Sequence, residues 1–155
     1  MKALHAHIAL SVMLLTTGPL ASAAETVSFG TGGYANMLRT PDMMHKIDTN
    51  GDGMVSETEW DTYQQRLFAM MDADHSGALD KDEFMRAHST EVASFGTSDY
   101  ANALRTSEML SKLDADRDGQ VSEQEFLSYH ARMFDAMDTG KKRMLGKKEF
   151  IIPGH

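Results

Sequence analysis

Three short segments of the chain carry acidic and other oxygen-bearing side chains at fixed intervals, at 48–59, 72–83 and 114–125. Each segment begins with Asp and ends with Glu at its twelfth position, and the third and fifth positions also carry oxygen atoms. The sixth position is Gly in all three, and the eighth is Val or Leu. Carboxylates held this close together repel one another unless a cation lies between them. A solvated turn would explain one such segment but not three, so the pattern indicates metal binding through oxygen ligands.

These segments, loops 1 to 3 in chain order, resemble the calcium-binding loop of EF-hand proteins at every diagnostic position. In that family the side chains at positions 1, 3 and 5 bind the ion, position 7 offers its main-chain carbonyl, and position 9 acts directly or through water. Glu at position 12 binds with both oxygens, and Gly at position 6 permits the left-handed turn between them. The resemblance implies three Ca²⁺ ions per chain, with Mg²⁺ and lanthanide ions as competitors. The implied ligands are Asp48, Asn50, Asp52, Met54, Ser56 and Glu59 in loop 1, Asp72, Asp74, Ser76, Ala78, Asp80 and Glu83 in loop 2, and Asp114, Asp116, Asp118, Gln120, Ser122 and Glu125 in loop 3.

A fourth loop, 138–149, keeps the first and last acids and the aliphatic Leu145 of the pattern. Its third, fifth and sixth positions are Gly140, Lys142 and Arg143. We expect this loop 4 to bind no Ca²⁺, with Lys142 as a tethered counter-ion for Asp138 or Glu149. The alternative is that its basic residues recognise an anionic partner.

The number of acidic ligands predicts an order of filling. Loop 1 offers three acidic side chains, whereas loops 2 and 3 offer four each. Because more ligand charge generally raises affinity, although loop rigidity can reverse the order, we expect loops 2 and 3 to fill first.

Helices must position these loops, and the sequence predicts an all-α fold without a strand longer than a bridge. Thr40-Pro41-Asp42 is typical of a helix start, with Thr as N-cap and Pro at the first helical position. One helix, about 57–71, must serve both loop 1 and loop 2 and holds them about 22 Å apart at its two ends. Loops 1 and 2 therefore cannot pair with each other, and we expect loop 1 to pair with loop 4 and loop 2 with loop 3.

The chain is a repeat. The segment at 28–40 returns at 94–106, an offset of 66 residues, and about half of the positions are identical when 28–84 is aligned with 94–150. We expect two EF-hand units, 25–90 and 91–155, packed as one domain with pseudo-two-fold symmetry. The shared SFGTxxYAN segments are expected to form short helices or turns that seat one unit against the other.

Composition limits the classes of function. The chain has 155 residues, a net charge of −8 and no cysteine, which excludes disulfides, thiol nucleophiles and Cys-ligated zinc. The negative charge disfavours nucleic acids and anionic membranes and favours cations or basic peptides. No catalytic motif occurs, so we expect a monomeric metal-binding protein that is not an enzyme.

The first 24 residues have the three parts of a secretory signal peptide. Lys2 gives the positive start, an apolar run follows from Ile8 to Leu15, and Ala21-Ser22-Ala23 is a small-x-small cleavage site. The apolar run is far shorter than the ~20 residues that cross a bilayer. The sequence therefore predicts a periplasmic or secreted protein with no membrane span after cleavage.

Three roles remain open at this point: a Ca²⁺ sensor, a buffer or structural module, and selective capture of lanthanide or another metal. The loop spacing is similar to that of secreted bacterial lanthanide-binding EF-hand proteins, but the Pro of those loops is replaced by Thr49, Ala73 and Ala115. Ca²⁺ is therefore the first choice. The 13 methionines could form a groove for an amphipathic or basic protein segment, or fill the core, which is favoured here. The histidines are expected in solvent, and they include His45, His75, His88, His130 and His155.

Overall fold

A computed structural model of the chain describes residues 32–86 and 96–152. The predicted signal peptide, the first residues of both SFGTxxYAN segments, His88 and His155 lie outside the described residues. The elements of the first half are α1 (Gly32–Leu38), α2 (Pro41–Ile47), β1 (Val55–Ser56), α3 (Glu57–Met71), β2 (Ala78–Leu79) and α4 (Lys81–Met85). Those of the second half are α5 (Ser98–Leu104), α6 (Ser107–Leu113), β3 (Val121–Ser122), α7 (Glu123–Met137), β4 (Met144–Leu145) and α8 (Lys147–Phe150). The described part of the chain is mostly helical, as expected for an all-α fold.

The helices begin where the sequence indicates. Thr40 precedes α2, and its Oγ1 accepts a hydrogen bond from Met43 N at 3.2 Å, with Pro41 as the first helical residue. Thr106 caps α6 in the same way, accepting from Met109 N at 3.1 Å. A side-chain oxygen at this position satisfies one of the free N–H groups of the first turn.

The core lies between the two long helices. α3 packs against α7, and α1 packs against α5. Both long helices present one apolar face, and the buried side chains of that face include Trp60, Tyr63, Leu67, Phe68, Met71, Phe126, Tyr129, Met133, Phe134 and Met137. All eleven methionines among the described residues are buried or half-buried, so the prediction of methionine as core filler agrees with this structure.

Two short antiparallel bridges join the loops across the halves of the chain. β1 pairs with β4, so that Val55 lies opposite Leu145, and β2 pairs with β3, so that Leu79 lies opposite Val121. All four of these side chains are fully buried. These two bridges confirm the predicted pairing of loop 1 with loop 4 and of loop 2 with loop 3. The physical reason is that α3 holds loops 1 and 2 at its opposite ends.

A buried polar chain runs between α1, α5 and α7. Tyr34 and Tyr100 occupy the same position in the two SFGTxxYAN segments, and their hydroxyl oxygens lie 3.1 Å apart. The Tyr34 hydroxyl is also 2.6 Å from His130 Nε2, and His130 Nδ1 is 2.7 Å from the carbonyl oxygen of Phe126. The helical part of these segments therefore does seat α1 against α5, as expected.

The expectation that His130 lies in solvent is wrong, since its side chain is fully buried. His45 and His75 are exposed as predicted. Because the Phe126 carbonyl can only accept, His130 Nδ1 must donate to it, and the bare Nε2 accepts from the Tyr34 hydroxyl. This network holds a neutral imidazole in one tautomer within the core.

Candidate metal centres

The backbone of each loop turns at its sixth position through a left-handed residue. Gly53, Gly77 and Gly119 have φ of 79°, 84° and 91°, a region that residues with a Cβ adopt only at a cost. These glycines allow the chain to fold back so that the acidic side chains of one loop face the same point.

The Asp at position 1 is oriented by main-chain N–H groups of its own loop. In loop 2, Asp72 Oδ1 accepts from Ser76 N and Oδ2 from Gly77 N, both at 3.0 Å. Asp114 of loop 3 accepts from positions 5 and 6 in the same way, at 3.1 and 3.0 Å. Asp48 of loop 1 accepts from Gly51 N at 2.7 Å and Gly53 N at 2.9 Å. Each carboxylate is therefore fixed toward the interior of its loop.

The Glu at position 12 closes each loop from the first turn of the following helix. Glu83 Oε2 accepts from Asp80 N at 3.1 Å, and Glu83 Oε1 accepts from Ala73 N at 3.0 Å and from Asp74 N at 3.3 Å. Glu59 and Glu125 make the equivalent contacts in loops 1 and 3. One carboxylate thus joins the end of its loop to the beginning.

Position 9 has a local structural role that the loop pattern alone did not indicate. Ser56, Asp80 and Ser122 are the N-caps of α3, α4 and α7, and each accepts a hydrogen bond from the N–H of the Glu at position 12. The Glu side chain accepts in return from the N-cap backbone, which completes a capping box. This reciprocal pair fixes the side chain of the closing Glu through protein contacts alone.

Hydrogen bonding favours the charged form of these carboxylates. Burial acts to raise the pKa of Glu59, but hydrogen bonds donated by Ser56, Asn50 and Thr49 outweigh it, so the pKa lies below its ordinary value. The pKa of Glu125 is lowered by the same balance, burial being opposed by bonds from Ser122, Ala115 and Asp116. Carboxylates kept ionised in this way are ready to bind a cation.

Loops 2 and 3 each gather three acidic side chains around one point. Ligand oxygens of Asp72, Asp74 and Glu83 all lie within 4.8 Å of one another, and so do those of Asp114, Asp116 and Asp118. Ca²⁺ binds oxygens at about 2.3–2.6 Å, so one ion can contact two oxygens up to about 5 Å apart. The donor sets of both loops therefore fit a hard divalent cation.

Loop 1 has a similar framework but fewer acids around its centre. Asn50 stands at position 3, and its Oδ1 accepts from Asp52 N at 2.8 Å. Asp52 Oδ1 accepts from Met54 N at 2.8 Å. The loop therefore offers Asp48, Asp52 and Glu59 as its charged ligands together with a neutral amide oxygen, which also fits Ca²⁺ with less charge.

Loop 4 carries a lysine ammonium where the other loops would hold an ion. Lys142 Nζ lies 3.1 Å from Glu149 Oε2, so the predicted counter-ion role of Lys142 is confirmed for Glu149. A Cβ added at Gly140, at position 3, would lie 2.6 Å from Lys142 Cε, which shows that the lysine covers the place of the missing ligand. Asp138 still accepts from the N–H groups of Lys142 and Arg143. Loop 4 thus keeps the loop shape with an internal cation in place of a bound one.

The sequence did not predict that position 4 of each loop adopts the left-handed conformation. His75, Arg117 and Lys141 stand at this position with φ of 58°, 64° and 49°, although none of them is Gly. Only Gly51 in loop 1 hints that position 4 requires the left-handed conformation. The hydrogen bonds to the Asp at position 1 hold these residues in it.

Two family models match the chain. Residues 61–131 match the model of an EF-hand domain pair, and residues 42–62 match the model of an EF hand. The first match includes loops 2 and 3, which β2 and β3 join, and the second includes all of loop 1. No curated protein matches the chain at a significant level. The part of the chain that holds loops 1 to 3 is therefore similar to EF-hand domains, which supports a relationship to the EF-hand calcium-binding family.

None of the helices in the described part of the chain has the length and apolar character that a bilayer crossing requires.

Proposed function

We propose that this chain is an exported calcium-binding protein with three working sites, in loops 1, 2 and 3, and none in loop 4. The observation that carries the proposal is the convergence of acidic oxygens within 4.8 Å in loops 2 and 3, on frameworks that main-chain N–H groups already hold in place. Because the carboxylates are positioned beforehand, little further ordering is needed on binding, which favours affinity.

The filling order follows from charge and from pairing. Loops 2 and 3 have more acidic ligands than loop 1 and share the β2–β3 bridge, in which Ala78 lies opposite Ser122. An ion bound in one of these loops therefore also stabilises the other through the bridge. Loop 1 is bridged instead to loop 4, whose lysine is already in place. We infer that loops 2 and 3 fill first and together, and that loop 1 fills last.

We propose a buffer or structural role for these sites, and a sensor role is the alternative that dye binding tests. A sensor of the calmodulin type exposes methionine-rich surface when it binds Ca²⁺. Here the large core methionines, among them Met43, Met109, Met133 and Met137, are buried between helices that meet around the loops. We therefore expect Ca²⁺ to raise the melting temperature without increasing the binding of an apolar dye. An increase in dye binding would favour the sensor instead.

The sites can be tested one at a time by neutralising the Glu at position 12. Calorimetric titration of the metal-stripped protein with Ca²⁺ should show one equivalent fewer, or one site weakened beyond detection, in each of Glu59→Gln, Glu83→Gln and Glu125→Gln. Gln keeps the size and one carbonyl oxygen but loses the charge and the bidentate contact. Glu149→Gln, the same change in loop 4, is the matched control and should leave the stoichiometry unchanged.

The same titration separates the alternatives. A stoichiometry that falls in Glu149→Gln would contradict the assignment of loop 4. Competition with Mg²⁺ and La³⁺ on the same samples tests selectivity, since a preference for La³⁺ beyond what its charge explains would favour a lanthanide protein.

We further propose that 1–24 is removed on export and that 25–90 and 91–155 are two copies of one unit. The equal lengths of α3 and α7, each 15 residues and offset by 66 positions, support the second statement. The mass of the protein recovered from the periplasm or medium tests the first, since it should equal that of the chain without its first ~24 residues.

A further inference from the structure

Loop 4 gives the molecule one basic end, although the chain as a whole is acidic. Five of its twelve residues are Lys or Arg, all within 141–148, and only its first and last residues are acids, so its formal charge is +3. Loops 2 and 3 together carry ten acids and two bases, which gives −8. Because the β1–β4 bridge joins loop 4 to loop 1, and α3 separates loop 1 from loop 2, the two charged regions lie at opposite ends of α3.

Three of the lysines in loop 4 are available to a partner. Lys141, Lys147 and Lys148 are exposed, and none of them forms an ion pair with a residue in the part of the chain that the structure describes. Lys142 and Arg143 each have an acidic partner, but their side chains remain 52% and 74% exposed. All five cations therefore contribute to a positive surface, which we call the loop 4 surface.

Hydrogen bonds within the loop hold these cations together. Glu149 Oε1 accepts from the hydroxyl of Thr139 at 3.2 Å, and Glu149 Oε2 accepts from Gly146 N at 3.2 Å. One carboxylate thus joins the beginning of the loop to its end, so that Lys141 and Lys147 lie on the same closed turn. The positive charges are therefore concentrated in one loop rather than spread along an open segment.

The backbone of loop 4 keeps a cation where the other loops have Gly. Arg143 stands at position 6 with φ of 57°, a conformation that a residue with a Cβ adopts only at a cost. Its guanidinium forms an ion pair with Glu57 at the start of α3, and its carbonyl oxygen accepts from Glu57 N at 3.1 Å. These contacts fix the loop 4 surface to loop 1. An unfavourable backbone conformation that holds a charge at the surface is a reason to look for a function there.

Partly exposed apolar side chains border the loop 4 surface. Met144 follows Arg143 directly, Ile151 and Ile152 follow α8, and all three apolar residues are half-buried. A lysine ammonium on its flexible stem needs no partner of fixed geometry, in contrast to the planar fork of arginine. Several cations next to hydrocarbon suit an anionic lipid surface, which offers both phosphates and the edge of the acyl chains. We propose that the loop 4 surface docks on a bilayer that contains anionic phospholipid.

The acidic end of the molecule does not prevent this docking. The net charge of the whole chain disfavours an anionic membrane only if all of its charges act at the same distance. A helix of the length of α3 places loops 2 and 3 about 22 Å from loop 1. Salt at physiological strength screens charges beyond about 8 Å, so the membrane interacts mainly with the charges of loops 1 and 4.

Calcium in loop 1 should strengthen the docking. Loops 1 and 4 together carry six acids and five bases, or −1, and one Ca²⁺ in loop 1 changes this to +1. The ion thus reverses the sign of the charge at the end of the molecule that meets the membrane. This part of the inference rests on the proposed function, whereas the contact between the lysines and the lipid does not.

The test measures co-sedimentation of the exported protein with vesicles at physiological salt. Vesicles that contain about 30% phosphatidylglycerol in phosphatidylcholine should bind the Ca²⁺-loaded protein saturably, and more salt should weaken the binding. Vesicles of phosphatidylcholine alone control for apolar binding by any other segment, including 1–24, and should bind at least tenfold more weakly, since each lysine near an anionic surface contributes about fivefold.

Two double variants separate the loop 4 surface from net charge. Lys147→Gln with Lys148→Gln should weaken binding to the anionic vesicles by about tenfold or more. Lys81→Gln with Lys112→Gln removes the same charge near loops 2 and 3 and should leave the binding unchanged within about twofold. If the first variant does not fold, the comparison of the two vesicle compositions in the unaltered protein decides.

The role of loop 1 is tested with Glu59→Gln. Ca²⁺ should increase vesicle binding of the unaltered protein severalfold relative to chelator, and it should not increase that of Glu59→Gln. Lysine-dependent binding that is indifferent to Ca²⁺ would remove only the part that rests on the proposed function. Absence of vesicle binding with normal Ca²⁺ uptake removes this inference and leaves the metal sites in place.

The docking proposal is overturned if the anionic vesicles bind no protein at millimolar lipid, or if phosphatidylcholine alone binds equally well. It is also overturned if the Lys147 and Lys148 double variant binds as the unaltered protein does. Poly-L-glutamate is the probe for an acidic polypeptide, which would match the charges but leave the apolar border unused. If poly-L-glutamate binds through these lysines while the vesicles do not, the partner is an acidic polypeptide and the proposal is wrong.

Discussion

Acid should destabilise this protein through one buried histidine, His130. Its imidazole accepts from Tyr34 and donates to the Phe126 carbonyl, and burial lowers its pKa from 6.5 to about 4 despite the opposing hydrogen bond of Phe126. The titratable groups packed nearby are Tyr34, Tyr100 and Tyr129, and burial raises the pKa of each of them, so none is charged near neutral pH. No neighbouring charge is thus available among them to stabilise an imidazolium.

The sign and size of the effect follow from proton linkage. Above pH 6.5 the histidine is neutral in both the folded and the unfolded chain and contributes nothing to the pH dependence. Below that pH the unfolded chain takes up a proton that the folded chain refuses until about pH 4. Stability is therefore lost as the pH falls through this window, by about 3 kcal/mol in total, since a tenfold change in proton affinity is worth about 1.4 kcal/mol.

The matched variant is His130→Gln, because Gln64 is the buried residue that the first half of the chain carries at the equivalent position. Urea unfolding of both proteins in chelator, followed by far-UV circular dichroism from pH 7.5 to pH 4, gives the difference in the free energy of unfolding at each pH. The carboxylates titrate in both proteins and cancel in that difference. The difference should move by about 3 kcal/mol in favour of His130→Gln as the pH falls. A difference that stays constant across the range would refute the reasoning.

Loop 4 and Trp60 provide two further predictions. The combined variant Gly140→Asp, Lys142→Asp and Arg143→Gly removes the internal cation and restores the ligands, so calorimetry should show one additional Ca²⁺ per chain. Lys148→Asp, which changes charge alone, should add none, and an unchanged count in the combined variant would contradict our account of loop 4. Trp60 directly follows Glu59 and is fully buried, with its Nε1 donating to the His130 carbonyl oxygen at 3.0 Å. Its fluorescence should therefore change mainly as loop 1 fills, after loops 2 and 3, and a change complete at the first equivalent of Ca²⁺ would contradict that order.

Much of the arrangement around the loops could be predicted because it depends on short-range spacing. A helix of fixed rise between loop 1 and loop 2 prevents them from pairing, and only the loops of the other half remain as partners for Val55 and Leu79. The contact of Lys142 with Glu149 follows from the same geometry, because positions 5 and 12 of such a loop face a common centre.

The hydrogen-bonded network of Tyr34, Tyr100 and His130 in the core could not be predicted in the same way. The contact of Tyr34 with Tyr100 requires α1 to meet α5, and no local pattern states this. A signal for the burial of His130 did exist, since Phe126, His130, Met133 and Met137 follow helical spacing on the core face. Its polar side chain suggested solvent, but the carbonyl oxygen of Phe126 on the same helix and the hydroxyl of Tyr34 on α1 satisfy its two ring nitrogens and offset the cost of burial.

The difference between the surroundings of Arg39 and Arg105 could not be predicted from the sequence for another reason. Arg39 and Arg105 stand in the same local sequence, Leu-Arg-Thr, yet the first is bonded to α8 and the second faces a cavity. Only the packing of the helix opposite each arginine separates them.

Calorimetric titration of the metal-stripped protein with Ca²⁺ tests the central claim most directly, because it counts bound ions without assuming a structure. We predict three equivalents per chain, two of them taken up before the third. If the titration shows no heat of Ca²⁺ binding at millimolar Ca²⁺ concentration, the account is contradicted.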